Sequence, residues 1–215
     1  MKNVFILIGA PGSGKGTLSK VLVDKLNIAH ISSGDMLRAE ITKGSTLSLQ
    51  LKELLAEGKL IDDNLMTEMI STRIQKEDCK NGFILDGYPR TLQQVKLLDK
   101  MLNQSEIKLY AFYLEIDDDT LIKRITGRYA CANCGAIYNK YTANPKKEGV
   151  CDKCSGTIFV TREDDNLDTF NKRLGTFKAE LQEILAFYEK LGILYKFDAT
   201  LGKEKMQEKL LEIIN

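Results

Sequence analysis

The sequence predicts an α/β protein built on a doubly wound sheet of five parallel strands. Three observations carry that expectation. Short apolar runs alternate with longer stretches of helical period along the chain. The first apolar run ends in a glycine-rich turn that opens directly into a helix. Two CxxC pairs interrupt the alternation once, in a stretch too poor in apolar residues to fold without a staple.

The first strand is the apolar run over residues 4–8, and it stops at Gly9. The turn GAPGSGKGT follows, and LSKVLVDKL after it places Leu18, Val21, Leu22 and Leu26 at helical spacing. Strand, glycine-rich turn and helix together make a phosphate loop, or P-loop. A phosphate chain has to lie against bare backbone N–H groups, and side chains at Gly12, Gly14 and Gly16 would block it. The helix start adds a dipole that favours anions. Lys15 supplies a point charge within reach of the terminal phosphates. Thr17 stands one place beyond the usual hydroxyl position, which Gly16 occupies.

Length and composition fit one α/β core with insertions. The chain has 215 residues, 43% of them hydrophobic and 28% charged, which suits an ordinary folded domain. A net charge of +1 gives no global field for nucleic acid or an anionic membrane. No apolar run approaches the length of a membrane span. The expectation is a cytosolic chain, so its five cysteines point to metal binding or free thiols.

A second short strand ends near Ile31, and Ser32, Ser33 and Asp35 offer caps for a helix with Met36, Leu37 and Arg38. His30 reads as structural. Helices over 46–57, between Gly44 and Gly58, and over 62–77 carry apolar stripes for packing. Residues 32–61 form a small helical insertion. GFILDGYPR (82–90) is a third strand with Asp86 at its carboxyl end, where open α/β sheets place ligand groups. A carboxylate there suits the water shell of a magnesium ion beside a phosphate loop. Gly87 and Pro89 shape the turn that carries Arg90, whose planar fork suits phosphate.

A helix over 91–103 and a strand over 109–116 come next. The helix expected over 117–128 sets Arg124 and Arg128 at i, i+4 on one face, an arrangement that favours an anion between them. Cys131-x2-Cys134 and Cys151-x2-Cys154 have the spacing of a four-thiolate tetrahedral zinc site. Four thiolates leave no open position for water, so this zinc is structural. Cys79 is left over as a small apolar residue. A long helix opens around 161 and runs to about 191, bringing Arg162 and Arg173 to one side. A fifth strand (193–199) and a closing helix (203–214) complete the chain.

Arg38, Arg90, Arg124, Arg128, Arg162 and Arg173 exceed what one triphosphate needs, so two phosphorylated substrates are expected to face each other. A phosphorylated acceptor is already anionic and needs no general base, and no base dyad is evident. The zinc-stapled segment then reads as a lid that excludes water.

GAPGSGKGT, SSGDMLR, LDGYPRT, RITGR, the CxxC pairs and REDD with Arg173 run in one order over nearly the whole chain. In that combination the sequence resembles the adenylate kinases of the long-lid, zinc-bearing kind. The resemblance implies a P-loop core over 1–31, 62–126 and 166–215, an AMP-binding insertion over 32–61 and a zinc-containing lid over 127–165. It implies ATP + AMP ⇌ 2 ADP with Mg2+ and one structural Zn2+, in a cytoplasmic monomer. Gly12, Ser13, Gly14, Lys15, Gly16 and Thr17 would hold the ATP phosphates, with Arg124 and Arg128. Ile137 and Tyr138 would cover ATP from the lid, and backbone near Leu201 would meet its adenine. Ser33, Arg38, Lys59, Leu60, Ile61, Gly87, Tyr88, Pro89, Arg90 and Gln94 match the AMP side. Lys15, Arg90, Arg124, Arg162 and Arg173 would carry catalysis, the last two bridging the reacting phosphates. Two other readings remain: a kinase for UMP, CMP or dTMP, and a zinc-ribbon nucleic-acid-binding regulator driven by ATP.

Overall fold

The computed structural model describes residues 2–57, 59–103, 106–162 and 164–214. Gly58, expected as a helix stop, and Glu163 of the REDD run lie outside them. The parallel sheet is built from β1 (Lys2–Ile8), β2 (Ala29–Ser32), β3 (Gly82–Asp86), β4 (Ile107–Glu115) and β8 (Leu194–Asp198). Its spatial order is β2-β3-β1-β4-β8, and every pair is parallel. The central strand β1 pairs with β3 from Asn3 opposite Gly82 to Leu7 opposite Asp86. This register places Asp86 at the same sheet edge as the turn that follows β1. The five-stranded parallel expectation holds.

Both faces of the sheet are covered, which is why its central strands are apolar without alternation. Val4, Phe5, Ile6, Phe83, Ile84 and Leu85 are fully buried. One face packs Phe5, Leu7, Ile84 and Phe112 against α1 (Lys15–Leu26) and α8 (Lys203–Ile214). Phe5 stacks on Tyr110 at 4.9 Å there. The other face packs Val4, Ile6, Phe83 and Leu85 under α4 (Asp63–Ile74), α5 (Leu92–Leu102) and α7 (Leu167–Lys190). Each such side chain stabilises by about 1.5–3 kcal/mol on burial.

Two further helices, α2 (Ser33–Ile41) and α3 (Thr46–Ala56), pack together after β2. Ser32 caps α2 by accepting the Asp35 N–H, while a Ser45–Ser48 capping box starts α3. After α6 (Asp118–Thr126), three short antiparallel strands form a second sheet in the order β6-β5-β7: β5 (Arg128–Cys131), β6 (Ile137–Asn139) and β7 (Phe159–Val160). These strands were not anticipated. They are two to four residues long, and the sequence around them carries cysteines, lysines and glycines rather than an alternating pattern.

Three helix boundaries differ from expectation, and two of them move functional arginines. Helix α6 stops at Thr126 with Gly127 at its cap, so Arg124 and Arg128 do not share a face. Helix α7 begins at Leu167, capped by Asn166, so Arg162 stands in the preceding loop. Helix α4 ends at Ile74, and a 3-10 turn over Glu77–Cys79 follows.

Candidate active site

The phosphate loop connects β1 to α1 at the carboxyl edge of the sheet. Gly12 has φ 85° and Gly14 φ 103°, both in the left-handed region that suits glycine. A Cβ on Gly12 would also lie 3.0 Å from Ile125 Cγ1. Gly16 is different, because a side chain there would meet open space. Gly14 is the N-cap of α1 and brings no side-chain cap over the first-turn N–H groups. Ser13 is buried, and its hydroxyl has no partner among the described residues. Thr17 is exposed on the first turn.

Lys15 folds back over the loop. Its Nζ donates to Gly9 O at 2.8 Å and Ala10 O at 3.0 Å. Loss of water around this ammonium lowers its pKa to about 8; Asp86 opposes the drop, while Arg90, Arg173 and Arg128 add to it. Burial raises the Asp86 pKa, but a His30 hydrogen bond and the Lys15 charge outweigh it and leave the carboxyl below its ordinary value. His30 Nε2 lies 3.3 Å from Asp86 Oδ2. So His30 has a carboxylate partner after all. The two are 56 residues apart and meet only because β2 pairs with β3.

The β3–α5 turn holds Arg90. Arg90 Nε donates to Gly87 O at 2.7 Å, and the Ser33 hydroxyl donates to the same carbonyl at 2.7 Å. Gly87 has φ 78°, and a Cβ there would come within 2.6 Å of Ser33 Oγ and 2.9 Å of Arg90 Nη2. The turn therefore depends on this glycine. Burial, reinforced by the Arg173 charge, pushes the Arg90 guanidinium down to about 10. Tyr88 points into the core, where its hydroxyl meets Thr67 Oγ1 at 2.9 Å, so only its backbone is available to a ligand. Gln94 is buried and accepts the Arg90 N–H through Oε1 at 2.7 Å.

Two cavities meet beneath these residues. One is lined by Ser33, Arg38, Lys59, Leu60, Ile61 and Gln94, with Gly87, Arg90 and Arg173. The second is lined by Gly9, Pro11, Lys15 and Pro89, again with Gly87, Arg90 and Arg173. Pro89 thus lies on the Lys15 side rather than beside Gln94. Lys59 is exposed and paired with Glu57 at 2.7 Å.

The remaining arginines are held by carbonyls and carboxylates. Arg124 donates to Ser13 O (3.2 Å) and Ala199 O (2.9 Å), tying the phosphate loop to the β8–α8 loop that carries the exposed Leu201. Arg128 grips Asp165 with two donors, Nε at 2.6 Å and Nη2. Arg173 donates to Asp164 Oδ2 at 2.5 Å. Arg162 reaches Asp35, 3.9 Å away, which also accepts from Arg38. Arg124 and Arg128 thus have separate protein partners instead of standing stacked on one helix face. Asp164 and Asp165 had a signal in the REDD run, but their roles were not read from it.

The four cysteines come together as expected. Their Sγ atoms all lie within 4.8 Å of one another. Cys131–Cys154 and Cys134–Cys151 are each 3.6 Å apart, close to the roughly 3.8 Å edge of a tetrahedron with 2.3 Å zinc–sulfur bonds. Two matching turns build the site. The Gly135 N–H donates to Cys131 O and the Ser155 N–H to Cys151 O, with φ 69° and 58° at those residues. The Tyr138 hydroxyl donates to Cys151 Sγ at 3.3 Å and holds the Cys151 thiol down to about 6. The same hydroxyl accepts the Asp152 N–H at 2.7 Å. Tyr138 is therefore buried with its hydroxyl turned into the cysteine knuckle, and its neighbour Ile137 is exposed.

Comparison with known proteins agrees with this geometry. A family model described as adenylate kinase matches residues 7–193. The chain is 40% identical over 210 residues to a protein named adenylate kinase from Thermosipho africanus, covering 97% of this chain and 98% of that protein. It is 43% identical over 196 residues to one from Thermodesulfovibrio yellowstonii, covering 91% of each. A third, from Ruminiclostridium cellulolyticum, is 44% identical over 190 residues and 88% of each chain.

Proposed function

The chain belongs to the adenylate kinase family and transfers phosphoryl groups reversibly between ATP and AMP, and we propose that its two joined cavities divide the substrates between them. ATP occupies the cavity of Lys15 and the phosphate loop. AMP occupies the cavity of Ser33, Arg38 and Gln94, with backbone from Lys59 to Ile61 beside it. The single observation that carries this division is the shared wall, since Arg90 and Arg173 line both cavities. A γ-phosphoryl group and an acceptor phosphate would meet there.

Phosphoryl transfer asks for alignment and positive charge more than for proton movement. Lys15 holds the β- and γ-phosphates of ATP over the N-terminus of α1. Arg90, fixed through Gly87, and Arg173, fixed through Asp164, stabilise charge on the transferring group. Arg124, with both donors on carbonyls, holds the phosphate loop in shape while contributing charge. Arg128 and Arg162 approach from the cysteine-bearing side. Residues 127–165 act as a lid and 32–61 as the AMP-binding insertion, closing over the core to exclude water. Asp86 fits a hydrated magnesium ion, since its carboxyl stays ionised beside Lys15 at the sheet edge. When bound with ATP, magnesium neutralises phosphate charge. Cys131, Cys134, Cys151 and Cys154 would hold one zinc, and their closed donor set makes it structural.

A monomer is part of this reading, as the family resemblance implies. Five free cysteines suit a reducing, cytoplasmic compartment. Among the described residues, no helix is long and apolar enough to cross a membrane.

The test is a coupled assay of ADP formation from Mg-ATP with AMP, CMP, UMP, dTMP or no acceptor. AMP is expected to support turnover well above every other well. Arg90→Ala should lower kcat by about 100-fold or more while the circular dichroism spectrum is retained. Near-wild-type turnover in that variant would remove Arg90 from the shared wall.

A further inference from the structure

Gln94 has two amide atoms, and both are already spoken for on one side. Its Oε1 accepts the Arg90 backbone N–H at 2.7 Å. Its Nε2 donates to Asp63 Oδ1 at 2.8 Å. A carboxylate only accepts and a backbone N–H only donates. Turning the amide over would therefore set oxygen against oxygen and N–H against N–H. Gln94 is 2% exposed, so water cannot rescue the reversed form.

Asp63 is itself held. Its Oδ2 accepts the Thr91 hydroxyl at 2.9 Å, and Thr91 Oγ1 accepts the Gln94 N–H at 3.1 Å. The neighbouring Asp62 caps α4 through the Asn64 and Leu65 N–H groups, which leaves Asp63 to face α5. The first turn of the helix also favours a negative charge there.

We propose that Asp63 is a positioning residue for base specificity, fixing the Gln94 amide so that the cleft takes 6-aminopurines and rejects 6-oxopurines. After its fixed contacts Gln94 keeps one N–H and one oxygen lone pair. Adenine offers the matching pair, an amino donor beside the N1 acceptor. A 6-oxopurine offers the reverse, an oxo acceptor beside an N1–H donor. Among pyrimidines, cytosine matches the locked amide and uracil reverses it. The order AMP over IMP, and CMP over UMP, follows from amide orientation alone and is independent of ring size. This rests on the proposed placement of AMP in the cavity of Gln94, with the base against the Gln94 amide.

The experiment measures kcat/KM for AMP and IMP at saturating Mg-ATP in Asp63→Ala, Asp63→Ser, Asp63→Asn and Gln94→Leu, all in the full chain. Asp63→Ala and Asp63→Ser should each lower the AMP:IMP ratio by about 10- to 100-fold, chiefly through a higher KM for AMP, with the KM for ATP unmoved. Asp63→Asn keeps an oxygen for Nε2 and should hold the ratio within about 3-fold. If Asp63→Ala does not fold, the serine variant gives the same readout. A purely structural role would lower both nucleotides together and leave the ratio alone. An unchanged ratio in the Asp63 variants, with a collapsed ratio in Gln94→Leu, would overturn the clamp and leave the Gln94 reading standing. An unchanged ratio in Gln94→Leu would overturn both.

Discussion

Lys15 illustrates how one residue trades stability for chemistry. Its folded pKa of about 8 lies below the ordinary lysine value of 10.5, with burial as the main cause. Between those values the unfolded chain binds a proton that the folded chain does not. Stability linked to Lys15 therefore rises with pH through that window, and below it the buried charge is a cost. Lys15→Met should raise the melting temperature at pH 7, with the gain shrinking from about pH 8 and gone above about pH 10.5, while turnover falls by about 100-fold or more. In the wild type, kcat/KM for ATP should fall above about pH 8 as the ammonium discharges. A pH profile flat to 9.5 would show that Lys15 keeps its charge in the free enzyme. The identity of Lys15 was legible because glycines, lysine and helix lie in one short stretch. His30 and Asp63 were not, since their partners Asp86 and Gln94 are 56 and 31 residues away.

At the scale of elements, the cysteine knuckles stand out because so few apolar residues support them. Cys131, Ala136, Tyr138 and Cys151 make up their buried cluster. A bound zinc would replace the missing core, so chelating it should lower the melting temperature by about 5–10 °C. Turnover at 15 °C should remain within about 10-fold, because no cysteine lines either cavity. An apo protein of unchanged stability but without activity would make the metal catalytic. The four-cysteine site was readable from spacing alone, since both pairs obey a local rule. The ends of α6 and α7 were not. Arg128 and Arg162 lie next to helical sequence, and only the Gly127 and Asn166 caps decide that they stand outside it. The hydrogen bond from Tyr138 to Cys151 was not legible either, because the expectation for Tyr138 came from the family resemblance and not from a local pattern.

Across the whole molecule, six arginines from six segments are each met by an acid or a carbonyl. Asp164 and Asp165 take Arg173 and Arg128, and Asp35 stands between Arg38 and Arg162. These pairs keep like charges apart before substrate arrives. The side chain of Asp165 is 2% exposed. Asp165→Asn should therefore cost on the order of 3 kcal/mol, read as a lower urea midpoint with an unchanged slope. A variant as stable as the wild type would mean that Arg128 finds equal company elsewhere. The parallel sheet was legible because β1, β3 and β4 carry continuous apolar runs. The acidic counterparts were not, because charge pairing at long range leaves no periodic trace.

The bonds from Lys15 to Gly9 O and Ala10 O have a consequence for how nucleotide arrives. The loop is wound around a cation of its own, with two backbone carbonyls turned inward onto the ammonium. A phosphate that takes over this ammonium would offer oxygens in place of those two carbonyls, an exchange of one pair of acceptors for another.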